Sequence, residues 1–104
     1  MLNAQQIEQI KMRIEQQVHP QKIVLFGSYA TGQAKEDSDV DLLVVADTTL
    51  PVVKRYGWIR RMLDDLPASF DIIVKTPAEY DADRTVMNHI VYFADQYGKV
   101  IYER

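Results

Sequence analysis

The chain predicts an α/β (α+β) fold, one domain with a central sheet and flanking helices. Three observations carry this. Stretches with apolar residues three and four apart alternate with short, nearly continuous apolar runs, as helices and covered strands do. The order reads α-β-α-β-α-β-α-β without repeat, low-complexity segment or linker. And 104 residues, 47% hydrophobic and 26% charged, suit one core with no room for a second.

Residues 3–18 predict the first helix, with Ile7, Ile10, Ile14 and Val18 as its apolar stripe. Asn3 and Gln6 read as a capping box, and Leu2 can staple against Ile7. Pro20 disfavours helical geometry at His19, which reads as a solvated residue at the helix end. Residues 22–26 predict a strand, stopped by Gly27 where a tight turn is needed. Ser28 reads as the N-cap of a short helix over 29–34. That helix would open with unpaired N–H groups beside a residue lacking a Cβ, a ready site for phosphate. A polar loop leads to a second strand at 40–46. Thr48, Thr49 and Pro51 announce a helix over 51–66, packing by Val52, Tyr56, Ile59, Leu63 and Leu66, which Pro67 ends. Its Lys54, Arg55, Arg60 and Arg61 read as a solvated face, the alternative being that one or two reach a phosphate or an acidic partner. A third strand at 70–75 leads into a polar connection through Pro77 and Asp81. Asp83 is expected to cap the last helix, with Val86, Ile90, Phe93 and Tyr97 as its packing stripe and Gly98 as its C-cap. Residues 100–102 predict a short final strand. On these stripes Tyr56 and Tyr97 belong to the core. Tyr80 and Tyr92 fit them poorly and are expected to be exposed, where tyrosine favours interfaces. His89 lies off its stripe and reads as a surface residue.

The chemistry concentrates between Lys22 and Val45. Asp39 and Asp41, two apart at the start of a strand, leave the same face. Two anions held side by side repel unless a cation joins them, and a hard divalent ion with oxygen ligands, Mg²⁺ above all, fits. Asp71 opens its own apolar run and shares a face with Ile73 and Lys75, so it meets the pair if the two strands are neighbours. An EF-hand loop from Asp37 fails, with Leu42 and Thr48 where Gly and Glu are required. A P-loop fails for want of Gly-Lys-Ser/Thr. Phosphotransferases of the haloacid dehalogenase type place Asp-x-Asp after a strand, not before it. A phosphate cradle at Gly27 and Ser28 beside a metal clamp suggests phosphoryl or nucleotidyl transfer.

Gly27-Ser28, ten residues, then Asp39-Val40-Asp41 resembles the nucleotidyltransferase superfamily that includes DNA polymerase β, and Asp71 matches that superfamily's third carboxylate. Length, element order and the ending Lys99–Glu103 look most like the minimal nucleotidyltransferases, the MNT antitoxins encoded beside HEPN toxins. The resemblance spans nearly the whole chain. It implies a polymerase β palm-like fold with a mixed sheet, two Mg²⁺ ions held by Asp39, Asp41 and Asp71, and ATP bound by Gly27 and Ser28. It further implies transfer of AMP to a tyrosine of a HEPN ribonuclease toxin. One departure is Thr31, where many members carry Arg; helix 51–66 is the candidate replacement for that phosphate contact. Two alternatives stand beside this reading: a non-catalytic binding antitoxin, and a subunit acting on a small molecule or RNA.

A formal charge of −3 argues against nonspecific nucleic-acid binding, which depends on basic surface. The absence of cysteine excludes disulfides and thiolate metal sites. With no signal-peptide pattern and no run of membrane-spanning length, the expected location is the cytoplasm.

Overall fold

The computed structural model describes residues 1–104. Helix α1 (Ala4–Val18) leads to strand β1 (Lys22–Phe26), the single turn α2 (Ser28–Thr31) and strand β2 (Val40–Val45). Helix α3 (Val52–Arg60) tightens into a 3₁₀ turn over Arg61–Leu63, followed by β3 (Phe70–Lys75), α4 (Pro77–Asp83), α5 (Ile90–Tyr97) and β4 (Lys99–Glu103). The sheet order is β3-β2-β1-β4. β1 runs antiparallel to β2 and β4, while β2 and β3 are parallel. It is a mixed sheet with helices on both faces, as expected. No helix is long and apolar enough to cross a membrane.

Strand alternation divides the core in two. Ile23, Leu25, Val40, Leu42, Val44, Ile72 and Val74 face α1 and α3, where Ile10, Ile14, Ile59 and Leu63 are fully buried. Val24, Phe26, Leu43 and Val45 face the other way, against Tyr80 of α4 and Val91 and Ala94 of α5. The α1 expectations hold in detail: Asn3 and Gln6 form a capping box, and Leu2 is buried. His19 ends α1 in the left-handed region at φ 53°, its N–H donating to Glu15 O.

Four expectations are corrected. Ser28 does not cap α2. Gly27 holds the cap position, Ser28 is the first helical residue, and left-handed Gly32 (φ 76°) ends the turn well short of residue 34. The stripe of α3 is buried only in its second half; Val52 and Tyr56 are exposed, because Arg55 turns inward instead. Arg55 is buried, bonded to Glu79 (2.7 Å) and to the carbonyls of Leu50 and Val74. The connection through Pro77 is the helix α4, opened by a Thr76–Glu79 capping box. The last helix then starts at Ile90, capped by His89, whose Nδ1 accepts from the Val91 N–H. Asp83 instead ends α4 and pairs with Lys75. Three of the tyrosines are accordingly inverted: Tyr80 is buried, whereas Tyr56 and Tyr97 are exposed; Tyr92 is half-buried. Gly98 does follow the last helix, but in extended conformation (φ −79°, ψ 171°). Glycine is required there for room, since a Cβ would collide with the Ala94 carbonyl and the Val24 side chain.

Candidate active site

Asp41 occupies the centre of the carboxylate group because of where register places it. It pairs with Phe26 at the end of β1 on one side and with Asp71 on β3 on the other. Odd-numbered residues of β2 and β3 share the face covered by α4 and α5, so Asp41 and Asp71 lie side by side on it. Asp39 precedes β2 by one residue, two positions from Asp41, and is exposed. Sheet order therefore brings together the carboxylates that the sequence separates by thirty residues.

The electrostatics agree. Burial pushes the Asp41 carboxyl above its ordinary value, and the nearby charges of Asp71 and then Asp39 push it the same way. None of the three forms an ion pair within the chain. Like charges are gathered and left uncompensated, an arrangement that a cation relieves.

Gly27 completes the group from β1. Its φ of 69° is left-handed, and a Cβ added there would fall inside the Asp41 carboxylate, with Asp41 Cγ at 3.1 Å. The turn thus lays its backbone directly against the central aspartate, and only glycine permits that approach. Ser28 follows at the head of α2, half-buried. The first N–H groups of a helical turn have no partner within it, so the Gly27-Ser28 turn presents donors next to the carboxylates.

No three acidic or histidine side chains converge tightly enough to form a ready coordination cage. For Mg²⁺ that is not a misfit. Mg²⁺ is commonly held by one or two carboxylates, with waters and substrate phosphates completing its shell. Oxygen donors carrying uncompensated charge suit it. The carboxylates stand on open surface: none of the five concavities of the molecule is lined by Asp39, Asp41 or Asp71.

In helix α3, the candidate source of a phosphate contact, two of the basic residues are engaged within the chain. The helix packs on the opposite sheet face, and Arg55 is committed to Glu79, which it holds down to about 2. Arg60 pairs with Asp64 and lies over the Phe70 ring.

The comparisons with known proteins follow the same lines. The family model described as "Nucleotidyltransferase domain" matches residues 7–93. Protein adenylyltransferase MntA of Thermococcus cleftensis is 32% identical over 97 residues, covering 88% of this chain and 97% of that protein. Among solved structures, a toxin–antitoxin crystallised with AMP-PNP superposes with a TM-score of 0.71 at 22% identity, over 93% of this chain and 73% of that one. BolA1 from Arabidopsis thaliana also superposes, at a TM-score of 0.59 and 18% identity over 76% of this chain and 98% of its own. Structural likeness at such identities speaks for the fold alone; the family rests on the sequence matches.

Proposed function

This chain belongs to the nucleotidyltransferase domain family, and from that premise we propose that it transfers AMP from ATP to a tyrosine hydroxyl of a HEPN-domain toxin, neutralising it as an antitoxin in the cytoplasm. The single observation that carries the catalytic part is the junction at Asp41, with Gly27 against its carboxylate and Asp71 beside it in register. The protein substrate is supported by the relative's name, protein adenylyltransferase.

Asp39 and Asp41 are the residues that would hold two Mg²⁺ ions, with Asp71 sharing one of them. When bound, the ions supply charge neutralisation at the reacting phosphate and lower the pKa of the attacking hydroxyl. Everything else falls to the chain. The Gly27 backbone and the Ser28 hydroxyl donate to the β- and γ-phosphates, keeping the pyrophosphate in line as it leaves. Asp71 takes the tyrosine proton in this reading, which its exposure at the start of an edge strand supports. The tyrosine oxygen forms a bond to the α-phosphorus, the α–β anhydride bond breaks, and pyrophosphate departs with the electron pair. The acceptor in this reading is a separate protein, in keeping with the relative's name.

The test is Asp39→Asn combined with Asp41→Asn, which removes two anions and keeps the shape. Labelling of the toxin with radioactive ATP and Mg²⁺ should fall more than about a hundredfold, since metal stabilisation of the transferring phosphate is worth several kcal/mol. Labelling at the wild-type rate would show the site misassigned.

A further inference from the structure

Helix α5 buries Val91 and Ala94 against the sheet and leaves a row of large apolar side chains uncovered. Ile90, Phe93 and Tyr97 on the helix and Met87 just before it are all exposed, Tyr97 at 67% and Met87 at 73%. The Phe93 and Tyr97 rings lie nearly parallel, with centroids 6.4 Å apart.

The direction this row faces follows from how α5 is tied down. Its beginning is held near the far end of β3, where Asp83 contacts both Lys75 and His89. Its end lies over β1, where Gly98 meets Val24 and Leu25. The helix thus crosses the sheet face diagonally. Asp95 bonds to Tyr80 and Arg84, so that flank is turned toward α4. At 100° per residue, Ile90, Phe93 and Tyr97 fall on the opposite flank. That flank overlooks the half of the face that no helix covers, which carries Asp41, Asp71 and half-buried Ile73.

We infer that this flank of α5 is the docking surface for the protein acceptor, whose apolar helical face packs on Ile90, Phe93 and Tyr97 and so delivers its hydroxyl to Asp71. The inference rests on the proposed function and specifies where the partner sits. The anchors at i, i+3 and i+7 span two helical turns, the spacing at which one helix reads another. A nucleobase needs only one ring of that row. The floor beside it holds three carboxylates without ion pairs, so the acceptor's complementary rim is basic. The patch is also continuous with the site, as a surface that positions a reacting group must be.

The test measures AMP transfer to the purified HEPN-domain acceptor, over a range of acceptor concentration, by wild type and by Phe93→Asn with Tyr97→Asn. We expect the variant's rate at low acceptor to fall about tenfold or more, as loss of central aromatic anchors does. It should recover at saturating acceptor, with Mg-ATP binding unchanged. Gln96→Ala, on another side of the helix, should behave as wild type. Tyr97→Ser alone, at the most exposed of the three row positions on the helix, gives the same reading in smaller degree if the double variant unfolds. Wild-type labelling at low acceptor by both variants overturns the inference. So does loss of Mg-ATP binding, which makes the row a nucleotide subsite. A dimer that the variant turns into a monomer with labelling intact overturns it too, by making the occupant a second copy. A wild-type protein that labels no acceptor at any concentration is a different failure, one of the proposed function itself.

Discussion

Gly27 and Asp41 form the tightest constraint in the site, and substitutions at either have calculable signs. Gly27→Ala adds a Cβ to a backbone (φ 69°, ψ −148°) that is essentially reserved for glycine, costing about 1–3 kcal/mol, and also drives it into the Asp41 carboxylate. Transfer should be lost while circular dichroism still reports a folded protein. At Asp41 the folded-state pKa is raised, so the ionised form is the one folding disfavours. Stability is lost as pH climbs past the unfolded value near 3.8. Asp41→Asn should therefore raise Tm at pH 7 in the absence of metal, abolish transfer, and lose that Tm advantage near pH 3. A lower Tm at pH 7 would contradict the picture of uncompensated charge. Ser28→Ala is milder. It removes one charge-assisted hydrogen bond worth about 1.5–3 kcal/mol, so transfer should fall roughly ten- to hundredfold and less than for Asp41→Asn.

At the scale of elements, legibility followed the strength of local signals. Helix α1 is readable because stripe, cap and stop agree, and strands β1, β2 and β3 because each is a short, nearly continuous apolar run. The stretch from Thr76 to Tyr97 is not. Its capping box, Thr76 with Glu79, is as regular as that at Asn3, but Pro77 and Asp81 read as a polar connection when Pro77 stands in the first turn of a helix. Without α4, the pattern gives Asp83 the cap that His89 provides and makes the apolar row of α5 a buried face. The row is regular but faces outward, and periodicity cannot tell a core stripe from an interface stripe. Arg55 was invisible for a related reason. One arginine among four basic residues on a polar face gives no sign that Glu79, on another helix, will hold it inside. Two measurements bear on this scale. His19→Gly relieves left-handed backbone at the end of α1 and should stabilise by about 0.5–1 kcal/mol in chemical denaturation. Arg55→Met removes bonds to Glu79, Leu50 and Val74 and should cost about 2 kcal/mol. Glu79 is depressed to about 2, so its contribution is complete above pH 4.5 and lost as pH falls toward 2. The Arg55→Met variant should consequently lose less stability than wild type across that window.

At the scale of the whole molecule, the candidate site is legible as a set of parts spaced along the chain in a specific order: Gly27-Ser28, then Asp39 and Asp41, then Asp71. Their meeting depended on sheet order, which one sequence does not display; the parallel pairing of β2 with β3 supplies it. Which part of ATP moves is the claim on which the rest depends. A metal site of this kind could serve phosphoryl transfer as readily as nucleotidyl transfer, and the two differ in one isotope. The wild-type protein, Mg²⁺ and the HEPN-domain acceptor are incubated in parallel with ATP labelled at the α- or at the γ-phosphorus, and the acceptor is then isolated and counted. The account predicts that α-label becomes bound to the acceptor and that γ-label leaves as pyrophosphate. Label from the γ-position on the acceptor, with none from the α-position, would contradict it.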